Sequence, residues 1–314
     1  MTRLVAIRIA QAIPVMFFVA LLTFMLMHLL PGDPATIIAG DMADQAAIDQ
    51  IRRDLGLDKP LLTQLWLWIY NLMQGDFGRS LMLNQPVSEA MFERMPVTLS
   101  LALVAFVITI PVGILLGVVA AVWRDTWVDS AVMLVALLGV SVPNFWIAIL
   151  SVILFSVTLG WFPSAGYVPI STSFSGWLTS LIQPAVVLAL FQIGYLARMT
   201  RSAMLDVLDQ DYIRTARAKG VSISVTILKH AFRNTLMQVV TVSGYIFSLL
   251  IGGSVVIEQI FALPGIGRLL VQAIMARDYP VVQGSLLLLG FAFVFVNIII
   301  DLIYAWVDPR IRYD

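Results

Sequence analysis

Between residues 98 and 121 the chain reads TLSLALVAFVITIPVGILLGVVAA, a run without a charged side chain. A helix needs about 20 apolar residues to cross the roughly 30 Å of hydrocarbon in a bilayer, and this run exceeds that length. Hydrocarbon offers no partner to a peptide N–H or C=O, so a spanning segment must pair its own backbone, which a helix does. A barrel would instead require alternating segments of about 10 residues, and the sequence carries no such pattern. Five further runs share the character of 98–121, at 9–30, 132–158, 178–199, 235–257 and 284–306. The expectation is an all-α polytopic membrane protein with six transmembrane helices.

Composition agrees. Of the 314 residues 60% are apolar and 12% charged, against about 25% charged in a soluble domain. So few charges could not solvate a soluble fold. The zero net charge favours neither nucleic acid nor anionic partners, and what matters is where the charges lie. With no cysteine, disulfides and thiolate metal sites are excluded. The apolar run after Arg3 and Arg8 extends to Leu30, longer than the 7–15 residues of a secretory h-region, so it reads as a retained first span.

Orientation follows from the basic residues. With the N-terminus inside, twelve of the nineteen Lys and Arg fall in cytoplasmic segments: Arg3, Arg8, Arg124, Arg198, Arg201, Arg214, Arg217, Lys219, Lys229, Arg233, Arg310 and Arg312. Arg52, Arg53, Lys59, Arg79, Arg94, Arg268 and Arg277 fall outside. The first five of these share a loop of about 66 residues, a length at which charge bias loses force. Both termini are therefore expected to be cytoplasmic.

Pro14, Pro111, Pro143 and Pro184 interrupt the runs, and Gly113 and Gly117 form a GxxxG pair. Such glycines let helix backbones approach closely, here within one bundle rather than at a dedicated dimer seam. In Ser141-Val-Pro-Asn-Phe145 the proline frees a carbonyl and polar side chains flank the break. Ser141, Pro143 and Asn144 are thus candidates for lining a pathway, although a kink buried between helices has the same sequence.

The stretch 200–234 is the most informative loop. In Asp209-Gln-Asp-Tyr-Ile-Arg-Thr-Ala-Arg-Ala-Lys-Gly220, Tyr212, Ile213 and Ala216 share a helical face while Arg214, Arg217 and Lys219 fall elsewhere. Asp209 reads as an N-cap and Gly220 as a left-handed C-terminal stop, with Ser222 capping the next helix. Two short amphipathic helices joined at Gly220 are expected, exposed to the cytoplasm and docked on some other surface. The outer loop 31–97 begins with a Pro31-Gly-Asp-Pro34 turn. It continues with a helix near 42–55 ended by Gly56, then an amphipathic stretch whose Trp66, Trp68 and Tyr70 suit a membrane interface.

The segment 214–220 resembles the cytoplasmic loop of bacterial binding-protein-dependent importers, with its Glu-Ala-Ala, three residues, Gly pattern. Arg214, Thr215, Ala216 and Gly220 stand at the matching positions, Arg replacing the acid. Ordered matches cover nearly the whole chain: Pro31-Gly-Asp-Pro34, Leu55-Gly-Leu-Asp-Lys-Pro60, Gly75-Asp-Phe-Gly-Arg-Ser80, Pro96-Val-Thr-Leu99, Asp211 to Gly220, His230-Ala-Phe-Arg-Asn234, Glu258-Gln-Ile-Phe-Ala-Leu-Pro-Gly-Ile-Gly267, Arg277-Asp-Tyr-Pro280 and Asp308-Pro-Arg-Ile-Arg-Tyr313. On these the chain resembles the B-type permeases of the dipeptide, oligopeptide and nickel ABC importers, and is similar to dipeptide and glutathione importer permeases.

The resemblance implies a type I ABC importer permease fold in a bacterial inner membrane. Its parts would be an N-terminal segment and first span at 1–30, a periplasmic loop at 31–97 and a permease core at 98–314. It implies a coupling helix over about 206–222, engaging a separate ATPase through Asp206, Asp211, Tyr212, Arg214, Thr215, Ala216, Arg217, Lys219 and Gly220. The implied partners are a second homologous permease, two ATP-binding subunits that hold ATP and Mg, and a periplasmic solute-binding protein seated over the outer loop and 258–281. Peptides are the implied cargo, with nickel complexes, glutathione and sugars as alternatives.

No catalytic or metal site is expected. Lys59, Lys219 and Lys229 are the three lysines, and none follows a glycine as a P-loop lysine must; neither HExxH nor GxSxG occurs. Asp301, His28 and Glu258 read as interfacial, Asp301 reaching water or pairing with Arg310 or Arg312, and His230 as a cap or packing contact. A secondary transporter would bring repeats and buried coupling charges, and an intramembrane enzyme would bring paired polar groups at depth. The sequence shows neither.

Overall fold

The structure, a computed structural model, describes residues 2–29, 35–36, 44–54, 56–222 and 225–307. The Pro31–Pro34 turn and the closing 308–313 lie outside the described residues, as do the side chains of His28, Arg217, His230 and Asp301; the Ser222 cap abuts undescribed positions.

The chain order is α1 (Thr2–Leu29), α2 (Gln45–Asp54), α3 (Leu61–Met73), α4 (Val87–Val122), α5 (Trp127–Ser141), α6 (Asn144–Ser151), α7 (Phe174–Leu208), α8 (Asp211–Ala218), α9 (Phe232–Ile260), α10 (Ile266–Met275) and α11 (Tyr279–Val307). A π-helical segment, Val152–Thr158, prolongs α6, and another, Thr226–Ala231, leads into α9. Among the described residues the only β pairing is one antiparallel bridge, Arg79 to Pro86.

Five helices are long and apolar enough to cross a membrane, and α5 with α6 makes a sixth if the pair counts as one. This pair corrects the continuous span read over 132–158, because the two axes meet at 96°. Val142 turns to extended backbone at the end of α5, and Pro143 stands at the N-cap of α6, where its missing N–H costs nothing. The helix around 98–121 is also longer than its apolar run, starting at Val87 and passing through Pro96.

α7 is the most enclosed helix and packs against α4, α5, α6 and α9. Leu101 of α4, Leu181, Leu188 and Leu196 of α7, and Ile246 and Leu250 of α9 form the buried centre. Glycines set the helix spacing. A Cβ on Gly117 would stand 2.6 Å from the Ala197 carbonyl oxygen, and one on Gly113 2.9 Å from Leu196 Cβ. The GxxxG pair therefore seats α4 on α7 within the bundle. On another face of α7, a Cβ on Gly194 would overlap the Ala136 carbonyl oxygen, and one on Gly139 would lie 3.1 Å from that of Leu190. Without side chains at these points, α5 and α7 touch backbone to backbone.

Candidate functional site

Both ends of the bundle carry built polar structure. At one end, α7 extends beyond its apolar portion to Leu208 and Asp209 occupies its C-cap. The cap role read for Asp209 therefore belongs to the end of α7 rather than to the start of α8, which begins after Gln210. α8 is held by Ile213, fully buried with Met204, Ala121 and Ala231. Tyr212 Oη accepts a hydrogen bond from Asn234 Nδ2 at 2.8 Å, tying α8 to the start of α9. Ala216 is half-buried, whereas Asp206, Asp211, Tyr212, Arg214, Thr215, Lys219 and Gly220 are exposed.

The end of α8 has the expected stop. Val221 N–H donates to the Ala216 carbonyl at 3.2 Å and Lys219 N–H to Thr215 at 3.1 Å, with Gly220 at φ +80°. This backbone carbonyl closure requires a left-handed residue, which glycine adopts without a Cβ clash. Arg214 and Asp211 pair at 3.4 Å on the exposed face, where such a pair contributes little. The result is a short helix with one apolar residue anchored in the bundle and a polar face turned outward.

Behind α8 lies an ion pair that sequence reading missed. Arg201 of α7 donates through Nε and Nη2 to the two carboxylate oxygens of Asp129 on α5, at 2.6 Å each. The Asp129 side chain is 7% exposed and also accepts from Asp125 N–H at 3.1 Å. The exposed Arg124 reaches Asp209 at 3.3 Å beside it.

Ser141, Pro143 and Asn144 sit together at the α5–α6 break. That places them a full α5 length, about 20 Å, from the α8 side. Ser141 and Pro143 are exposed and Asn144 half-buried, its Oδ1 without a protein partner.

At the opposite end, Glu258 is fully buried rather than interfacial. Its Oε1 accepts from Thr98 Oγ1 at 2.7 Å and Ser254 Oγ at 3.0 Å, and its Oε2 from Arg268 N–H at 3.0 Å. Thr98 in turn accepts from Ile266 N–H at 2.9 Å, so one carboxylate joins α9, α4 and the start of α10. Gly265 and Gly267 are required here, since a Cβ on Gly265 would overlap the Glu258 carboxylate. A second buried acid does similar work: Asp278 accepts from Ser80 Oγ at 2.6 Å and Met82 N–H at 3.0 Å, stitching the outer loop to the α10–α11 turn. In that loop α2 and α3 fall where helices were read, Gly56 has φ +67°, and the Trp68 ring lies 5.8 Å from Phe24 of α1. Among the described residues no group of three His, Asp or Glu could hold a metal.

The structure is a bundle of apolar helices with a short polar-faced helix docked at one end, and comparison with known proteins specifies its class. Residues 113–313 match the family described as binding-protein-dependent transport system inner membrane component, and residues 1–102 match the N-terminal family of the same components. A Brucella abortus (strain 2308) protein provisionally named a peptide transport system permease is 68% identical over 314 residues, all of both chains. The glutathione transport system permease protein GsiC of Escherichia coli (strain K12) is 43% identical, covering 98% of this chain and 97% of that one. A solved inward-facing structure of the MetNI methionine ABC transporter shares the fold, with TM-score 0.51 and 20% identity over 71% of this chain and 96% of that one. The chain belongs to the binding-protein-dependent transport system inner membrane components, and is a permease subunit of an ABC importer.

Proposed function

We propose that the chain forms half of the transmembrane pathway of a peptide importer. The observation that carries the cargo is the 68% identity, over full length, to a relative named for peptide transport. Glutathione, itself a tripeptide, is the second reading and draws on the 43% identity to GsiC. In this proposal a second homologous permease completes the pathway. Two ATPase subunits bind ATP and Mg beneath it, and a periplasmic binding protein delivers solute from above. Both termini face the cytoplasm of a bacterial inner membrane. The three parts are the first span at 1–30, the periplasmic loop at 31–97 and the core at 98–314.

The coupling element is α8 with its flanks: Asp206, Asp211, Tyr212, Arg214, Thr215, Ala216, Arg217, Lys219 and Gly220. A rigid helix seated by Ile213 and stopped at Gly220 can be pushed as one body by closing ATPases, moving the helices to which it is fixed. Ser141, Pro143 and Asn144 line the pathway where the third span breaks. At the outer end, α10 and the loop held by Glu258 and Asp278 offer the firm platform that a docking protein requires.

The deciding experiment purifies the complex with its cognate binding protein and offers labelled dipeptides, oligopeptides, glutathione and nickel complexes. Short peptides are expected to bind that protein and stimulate ATP hydrolysis by the complex. Binding of nickel complexes alone would overturn the cargo. Uptake by this chain without ATPase subunits would overturn the mechanism.

A further inference from the structure

The Asp129–Arg201 pair takes on a role once the α5–α7 seam is read in register. Asp129 meets Arg201, Ala136 meets Gly194 and Gly139 meets Leu190. Residue numbers rise along α5 as they fall along α7, so the two helices lie antiparallel and in step from the first turn of α5 to just before its break. Leu190, Gly194 and Arg201 share one face of α7, since steps of four and seven residues return to nearly the same angle. The upper two contacts are backbone approaches that fix distance but provide no charge or hydrogen-bonded clasp. The lower contact is a two-pronged guanidinium–carboxylate bond, whose geometry resists both sliding and rotation. It lies one helical segment from α8: α7 ends at Leu208, and only Asp209 and Gln210 separate it from α8.

We propose that the Arg201–Asp129 clasp transmits the displacement of the coupling helix from α7 to α5, and so to the broken span at Val142 and Pro143. The inference rests on the reading of α8 as the coupling element. Motion entering at α8 moves α7. Because α5 is clasped at its near end and seated on glycines along its length, it travels with α7 as one piece. Its far end stops at the 96° break with α6, where Val142 and Pro143 interrupt the helical hydrogen bonding. Arg201 and Asp129 are positioning residues: neither needs to touch solute or nucleotide.

The chain has no native cysteine, so spin labels at Trp127→Cys on α5 and Ser202→Cys on α7 report the seam directly. The assembled importer is measured without nucleotide and after trapping with ATP and vanadate. In the parent the label separation stays the same in both states. In Asp129→Asn and in Arg201→Gln it matches the parent at rest and shifts on trapping, and the Asp129→Arg, Arg201→Asp exchange restores the parent behaviour. Solute carried per ATP hydrolysed falls in the single variants by about fivefold or more, the size of an ordinary coupling between sites. A seam that stays closed on trapping in both single variants overturns the proposal. So does one that opens equally in both states, which would make the pair a structural tie only. The coupling reading is tested separately by Ala216→Asp, which is expected to release the ATPase subunits from the purified complex. Retained subunits there would overturn that reading instead.

Discussion

Replacing Glu258 by Leu removes the carboxylate acceptor from its buried cluster while roughly keeping side-chain volume. The Thr98 and Ser254 hydroxyls and the Arg268 N–H converge on the carboxylate, with the Gly267 N–H also directed at it. Ser254 keeps an alternative, because the Ile251 carbonyl stands 2.9 Å from its Oγ. Thr98 and Arg268 have no such second partner for these hydrogens, so at least two donors are stranded. Each stranded donor costs about 1–3 kcal/mol, giving roughly 2–6 kcal/mol for Glu258→Leu. Glu258→Gln retains one acceptor oxygen for Arg268 and leaves only the Thr98 hydroxyl short, so about half that loss is expected. At about 2–4 °C per kcal/mol for chains of 150–250 residues, the Leu variant should melt roughly 5–20 °C below the parent. The assay is loss of the monodisperse peak on fluorescence-detected size exclusion after heating in detergent, with Thr98→Val as the second arm of a double-mutant cycle. If both Glu258 variants melt within about 2 °C of the parent, the view that this carboxylate secures α10 to α4 is wrong.

Gly220→Pro and Ala216→Asp should each abolish solute uptake while the chain remains in the membrane, because proline cannot adopt φ +80° and an acid at the half-buried Ala216 places a charge on the proposed coupling helix; normal uptake would remove the coupling assignment. A single cysteine at Lys219 should react with an impermeant maleimide only in inverted vesicles and one at Trp66 only in intact spheroplasts, and the reverse pattern would invert the topology. Gly194→Leu drives a side chain into the Ala136 carbonyl, and overpacking of about 1–3 kcal/mol or more should appear as lower melting, checked by the same heating assay. Asp278→Asn keeps shape but weakens the bonds from Ser80 and Met82, so limited proteolysis should cut the 75–86 loop several times faster, with unchanged cutting refuting the stitch.

The spans were legible because hydrocarbon imposes a simple rule: a long apolar run must be a helix. Gly220 was legible too, since a glycine after an amphipathic run ending in basic residues has few other uses. The 96° bend was only half legible: Pro143 marks the place, but its angle depends on what α7 holds in position. The start of α4 at Val87 was hidden because Glu89, Glu93 and Arg94 break the apolar pattern without breaking the helix. The polar clusters were not legible at all. Asp129 and Arg201 lie 72 residues apart, and Thr98 and Glu258 lie 160 apart. Spacing along one sequence carries no information at such separations, so a buried acid such as Glu258 looks like any acid near a span end.

α1 is nearly bare, with Ala20, Thr23 and Phe24 among its few covered residues, and it rests chiefly on α11, where Gly290 receives Val19. The first span to leave the ribosome thus has its berth on the last. At about 5–20 residues per second, the wait between the end of α1 and the start of α11 is roughly 10–50 s. Throughout that interval the newborn segment must be kept by lipid or by the insertion machinery, so α1 is the element most open to capture by a wrong neighbour during synthesis.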